Sequence, residues 1–239
     1  MITVNHPIYK DISINFNEDD HTYIDNRGFR YRSVSGLISE FFEPFDTDII
    51  AERCSIKRGV SKESLINEWK EAGRVAADKG HNVHDMLRCK FLGLEFDKIE
   101  PNYIKEVDRI YSSVIKIVDP VYIETILFDP LLLIAGTCDG VFITKDFSKY
   151  VVIDWKTSKS INNNSYGKFG LKSLIDIPDC NYVHYSIQLQ IYSHLLKTNG
   201  YLKYNIPIQH RLIHIKEKDS SSMKIMKINI IKLLSNDLE

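Results

Sequence analysis

A chain of 239 residues with 44% hydrophobic and 26% charged side chains can bury a sizeable core and is too apolar to stay disordered. Its 31 basic and 32 acidic residues leave a net charge of −1, so a polyanion would have to be met by a local patch rather than by the field of the whole molecule. Cys54, Cys89, Cys138 and Cys180 are too few for a disulfide scaffold and too far apart for a zinc or iron–sulfur motif, and no apolar run approaches the roughly 18 residues of a membrane span.

Residues 11–16 alternate like a strand, with Ile12, Ile14 and Phe16 on one side. Residues 21–24 and 29–31 flank Asp25-Asn26-Arg27-Gly28, which reads as a hairpin turn. Ser33 or Ser35 can cap a helix reaching Phe42, ended by Pro44. The longest helical stretch is 61–91, which Gly73 and Gly80 are expected to break into pieces. Pro101 starts another helix, running to Val118. Four runs rich in β-branched and aromatic residues follow, 121–128, 131–137, 140–144 and 150–155, and they predict a three- or four-stranded antiparallel meander. After a long polar segment, 157–181, a helix over 182–197 is closed by Asn199-Gly200, and 206–215 and 223–230 read as two late strands. The fold class is α/β (or α+β), a mixed central sheet flanked by helices. One domain over 1–239 is expected: an N-terminal hairpin and helix (1–60), a core (61–200) and C-terminal strands (201–239) that either pack on the sheet edge or meet a partner.

Asp154 and Lys156 end the apolar run Val151-Val152-Ile153. A period of 2 puts both on one face, with Ile153 and Trp155 on the other. Asp139 lies one strand and one turn upstream, so a hairpin can bring it to Asp154. Two convergent carboxylates suit Mg²⁺ or Mn²⁺, which polarise a phosphodiester and acidify a bound water. Lys156 would then orient that water, deprotonate it or stabilise charge on phosphorus. By spacing alone, a surface Asp–Lys pair looks the same. His81 and His84 share a helix face, but a zinc site lacks the HExxH pattern, and residues 167–173 lack the register of a phosphate loop. Gln188 and Tyr192 share one face of the later helix.

Taken in order, Gly80 with His84, Gly136 with Asp139, Asp154-Trp155-Lys156-Thr157-Ser158, and Gln188 with Tyr192 resemble the motifs of the PD-(D/E)XK nucleases. The nearest pattern is the RecB-like exonuclease branch, which includes the mitochondrial genome maintenance exonuclease, CRISPR-adaptation nucleases and phage and large-virus nucleases. The resemblance covers about residues 72–198, and Tyr31-Arg32-Ser33-Val34-Ser35 is similar to the opening of phage members. It implies a restriction-endonuclease-like core. It also implies that Asp139 and Asp154 are metal carboxylates, that His84 and the backbone carbonyl of Trp155 are further ligands, that Lys156 is the catalytic lysine, and that Gln188 and Tyr192 contact substrate or hold the site. The Glu that many relatives carry four residues after the motif His is Arg88 here, which leaves Asp85 or Glu124 for that contact. The cysteines of the iron–sulfur relatives are missing, so no cluster is expected.

Residues 157–173 contain Lys159, Lys168 and Lys172 with Tyr166 and Phe169 and no acid, which suits a single strand: cations for phosphates, rings for bases. Ser33 and Ser35 at a helix start are candidates for a phosphate contact. Arg53, Lys57, Arg58 and Lys62, and Arg27, Arg30 and Arg32, are further basic clusters. The expectation is a metal-dependent DNA exonuclease preferring single strands or ends. Such an enzyme serves replication, repair or recombination, where a protein partner is also expected. A structure-specific endonuclease on the same site, and a non-catalytic nucleic-acid-binding accessory protein, are the competing readings. An arch over the site would favour the exonuclease, and an open groove with a dimer face the endonuclease. Sparse cysteines and the absence of a signal-like N-terminus fit an intracellular setting, in cytoplasm, nucleoid or host cell. The Asn-, Ile- and Lys-rich composition fits an AT-rich genome such as a virus or phage.

Overall fold

The structure, a computed structural model, describes residues 1–235. An N-terminal meander is built from β1 (Ile2–Asn5), β2 (Ser13–Asn17), β3 (Thr22–Asp25) and β4 (Arg30–Ser33), paired antiparallel in that order. The turn between β3 and β4 sits where Asp25-Asn26-Arg27-Gly28 predicts it. Gly28 has φ 89°, and Asp25 caps the turn by accepting from Arg27 and Phe29 N–H. β1 and its pairing to β2 were not anticipated from the alternation of 11–16.

Helix α1 (Val34–Ser39) starts at Ser33, whose Oγ accepts from Gly36 N–H at 3.0 Å. It is shorter than expected, because Glu40, Phe41 and Phe42 each bond three residues back and the Phe41 carbonyl turns out to accept from Leu171 N–H. Helix α2 (Thr47–Arg58), not foreseen, begins at an Asp46 cap and ends on Gly59 with φ 65°. Helix α3 (Lys62–Leu92) corrects the expected breaks: it runs unbroken for 31 residues through both glycines. An interior glycine costs only about 1 kcal/mol of helix propensity, which a well-capped helix packed at both ends absorbs. A Cβ on Gly80 would lie 3.1 Å from Thr157 Oγ1, so this glycine marks a close approach rather than a break.

Pro101 opens a single 3₁₀ turn before α4 (Ile104–Val114). The helix stops before Val118, which instead begins β5 (Val118–Asp129). Pro120 holds the preceding backbone extended and so favours the strand. Strand β6 (Ile134–Thr144) joins the expected 131–137 and 140–144 runs into one, and β7 (Tyr150–Lys156) completes a three-stranded meander. Helix α5 (Asn181–Thr198) follows, then β8 (Ile208–His214), parallel to β7, the short β9 (Ser221–Met223) and α6 (Ile230–Ser235). The expected strand over 223–230 is therefore mostly irregular. Its backbone is held by α5 side chains: Met226 N–H donates to Ser186 Oγ and Ile228 N–H to Gln190 Oε1.

The result is a mixed, mostly antiparallel sheet with helices on both faces. Leu37, Ile38 and Phe41 of α1 and Val183, Ile187 and Leu195 of α5 pack with Val152 and Val141 on one face. Val83, Met86 and Leu87 of α3 and Val107 and Ile110 of α4 pack with Ile153 and Trp155 on the other. The chain between α1 and the end of α3 therefore crosses from one face to the other. Residues 71–78 of α3 are all exposed, more than two turns, so this part of the helix is a bridge in solvent with no face against the body. Among the described residues no helix is long and apolar enough to cross a membrane.

Candidate active site

The site lies where the sheet splits. One edge of β6 pairs with β5 along its length. The other edge pairs first with β4, through Ile134 and Ala135, and then with β7, from Gly140 onward. Between these ladders residues 136–139 have no strand neighbour on that edge. The Trp155 N–H, which a continued ladder would have used, donates to Asp139 Oδ2 at 2.7 Å. Asp139 is buried, and the alternation of β6 slips beside it: Cys138 and Val141, three residues apart, belong to the same core. Opposite, Glu124 of β5 has φ 46°, a left-handed backbone that costs a non-glycine residue on the order of 1 kcal/mol.

His84, from the last third of α3, stands over this gap. Its Nε2 donates to the Trp155 carbonyl at 3.0 Å, and its Nδ1 lies 3.2 Å from Glu124 Oε1 and 3.8 Å from Asp139 Oδ1. Both ring nitrogens thus face acceptors, which suits an imidazolium. Burial opposes that charge, but Asp139 and Glu124 outweigh it and raise the His84 pKa to about 9. Burial in turn raises Asp139, against the pull of His84. Ligand atoms of His84, Glu124 and Asp139 all lie within 4.8 Å of one another. Of the two acids offered as replacements for the residue at Arg88, Glu124 is in this group. Asp85 instead pairs with Arg88 at 2.6 Å.

Asp154 and Lys156 lie on the α5 face of β7, as the period of 2 predicts. Lys156 Nζ is 2.9 Å from Asp154 Oδ1 and 2.8 Å from Oδ2, but only the first contact has hydrogen-bond geometry, so Oδ2 is a buried acceptor without a donor. Burial, with Asp139 adding to it, raises the Asp154 pKa to about 6 despite Lys156. Burial would lower the Lys156 pKa, but Asp154 and then Asp139 raise it, so the side chain is an ammonium. Its Nζ lies 4.9 Å from the centre of the Tyr185 ring. Tyr185 was missed from sequence. It shares a face of α5 with Gln188 and Tyr192 at steps of three and four, the only signal that pointed to it.

Gln188 Nε2 donates to Tyr192 Oη at 3.1 Å, and the buried Tyr192 ring lies against Gly136. A Cβ there would come within 2.9 Å of Tyr192 Cε1 and of Val34 Cγ2, so α1, β6 and α5 meet through a glycine. Ser33 is occupied as the α1 cap, with the exposed Ser35 Oγ 3.3 Å from it. Lys159, Lys168 and Lys172 are exposed on the irregular segment after β7, and Lys172 Nζ lies 5.2 Å from the Phe41 ring. Elsewhere, Arg58 pairs with Glu68, Lys62 with Asp48 and Arg27 with Asp25, which reduces the basic clusters expected there.

The donor set fits a hard divalent cation: the carboxylates of Asp139 and Glu124 with the His84 imidazole, beside the Trp155 carbonyl. Asp154 is not part of that group, and its two oxygens lie 2.9 and 2.8 Å from the Lys156 ammonium. His84 would have to release a proton to become a ligand, and its positive charge is what balances the acids otherwise. No family model matches the chain, and no curated protein matches it.

Proposed function

We propose that the chain is a metal-dependent deoxyribonuclease of the PD-(D/E)XK type, from the RecB-like exonuclease branch, which hydrolyses phosphodiester bonds from the ends of single-stranded DNA. One observation carries the reading: Glu124 of β5, Asp139 of β6 and His84 of α3 meet at a gap in the sheet, and the Asp154–Lys156 pair of β7 flanks the Trp155 N–H that holds Asp139. A bound Mg²⁺ or Mn²⁺ would supply Lewis-acid polarisation of the phosphate and a water of lowered pKa. Asp139, Glu124 and His84 would hold it, and Asp154 is the further carboxylate that the resemblance implies. As an ammonium, Lys156 suits stabilisation of the negative charge that grows on the phosphoryl oxygens, rather than proton abstraction. Tyr185 and Asp154 fix its direction, and Gln188 and Tyr192 support that wall. Lys159, Lys168 and Lys172, with Tyr166 and Phe169, lie on the exposed segment leaving the site and would track the strand. Ser33 caps α1 beside Gly136, so Ser33 and Ser35 contribute a polar edge on that side.

The solvent-exposed bridge of residues 71–78, on the chain's way from the α1 face of the sheet to the α3 face, favours an exonuclease over an endonuclease, because a free end can thread past a bridging helix and a closed circle cannot. The test uses end-labelled linear single-stranded DNA beside a covalently closed single-stranded circle, with Mg²⁺, Mn²⁺ or EDTA. Loss of the linear substrate alone, blocked by EDTA, is the expected result. Cutting of the circle would assign an endonuclease, and salt-sensitive binding without cleavage an accessory protein.

A further inference from the structure

The exposed side of the His84–Glu124 pair opens into a cleft of about 750 Å³ between the N-terminal meander and α3. Its size lies within the roughly 300–1,000 Å³ of clefts that bury small ligands. One wall is apolar, with Ile2, Val4 and Phe16 on it, and cross-strand register explains why: Ile2 pairs with Phe16, and Phe16 with Tyr23, which is buried behind the lining. Phe16 and Tyr23 stack with ring centres 4.5 Å apart, and Tyr23 Oη reaches Thr137 Oγ1 at 3.2 Å, two residues before Asp139. The wall therefore has an exposed outer edge, with Ile2 43% exposed, and is backed at its inner end by Tyr23 and Thr137. The facing wall carries His81 one turn before His84, and His21 lies at the rim against Phe16. The lining also holds Glu18 and the Asp85–Arg88 ion pair. An apolar shelf faced by imidazoles and ending at a metal-type cluster matches a nucleotide, with the base on the shelf, the phosphate toward the cluster and the sugar by His21 and His81.

We propose that this cleft seats the nucleotide next to the scissile phosphate, as a subsite for single-stranded deoxynucleotide ends; the proposal rests on the nuclease reading above. Ile2 and His81 are binding residues of this subsite and stand clear of the carboxylates. The tests are Ile2→Trp, which fills the cleft from its exposed edge, and His81→Ala. Each should raise KM for a linear oligodeoxynucleotide about tenfold, the scale of one lost base contact, and leave kcat within about twofold. Mn²⁺ affinity should stay at the wild-type value in both. Separately, thymidine monophosphate titrated into the wild type should shift the imidazole resonances of His21 and His81, and fail to do so in Ile2→Trp. Unchanged KM in both variants, with silent imidazoles in the wild type, would overturn the proposal. If the wild type cuts no DNA, the nuclease reading fails by itself, and the nucleotide titration still decides the cleft: shifted resonances support it and unshifted ones reject it.

Discussion

At the scale of single residues, Asp139 is placed by what its neighbours lack. A Cβ on Gly140 would come within 2.5 Å of Phe142 Cε2 and 3.2 Å of Trp155 Cζ2, and one on Gly136 would press on Tyr192 and Val34. These contacts are between rings and aliphatic groups locked in two cores, so they yield poorly. Gly136→Ala should cost about 1–3 kcal/mol in urea unfolding and lower the cleavage rate more than the conservative Tyr192→Phe does. Equal activity of Gly136→Ala and wild type would show that the Tyr192 wall does not matter to the site. Asp154 and Lys156 were legible in the sequence because both come from one strand, where the period of 2 needs no tertiary knowledge. Glu124 could be named only as one of two substitutes, and Tyr185 not at all. Each reaches the site from a separate element, through pairing that no local pattern encodes.

Among the elements, α3 shows the same boundary between what is local and what is not. Its caps and apolar positions announce a helix, yet its continuity through Gly73 and Gly80 depends on packing at the α2 end and at the sheet. Nothing lies within 4 Å of a Cβ built on Gly73. Gly73→Ala should therefore stabilise the protein by about 0.5–1 kcal/mol in thermal or urea unfolding, and a loss of stability would mean that the bridge needs a flexible point there. The segment after β9 failed as a strand for a related reason: Ile225, Met226, Ile228 and Ile230 pack on the core that α5 shares, and α5 side chains take hydrogen bonds a neighbouring strand would have taken. β8 offers a pH test. His210 Nε2 lies 2.7 Å from Ser193 Oγ of α5, and burial, then Lys197 and Lys227, push its pKa to about 4. Between about 6.5 and 4 the unfolded chain binds the proton more readily, so stability falls as pH falls through that window. Allowing for partial solvent screening, the loss is on the order of 2 kcal/mol. In His210→Gln the difference between urea unfolding at pH 7.5 and at pH 4.5 should shrink by that amount. An undiminished difference would place the acid sensitivity elsewhere.

For the whole molecule, the mixed sheet with helices on both faces followed from the order of periodic segments. The split between β4 and β7 along one edge of β6 did not, because β4 pairs with a strand about a hundred residues away. That split brings the carboxylates together, and an ion bound there stabilises the folded state alone. Saturating Mn²⁺ at about 100 times its dissociation constant should add about 2.7 kcal/mol. That corresponds to a rise in Tm of roughly 5–10 °C for a chain of this size. Asp139→Asn and Glu124→Gln should blunt the rise, and an equal rise in both would place the ion elsewhere. The most direct test of the account compares wild type and Lys156→Ala in single-turnover cleavage of end-labelled linear single-stranded DNA, with Mn²⁺ affinity measured on the same preparations. The account predicts cleavage slowed about 10²–10³-fold or lost, the scale for removing a charge-stabilising donor, with the ion still bound. Cleavage by Lys156→Ala at the wild-type rate would contradict it.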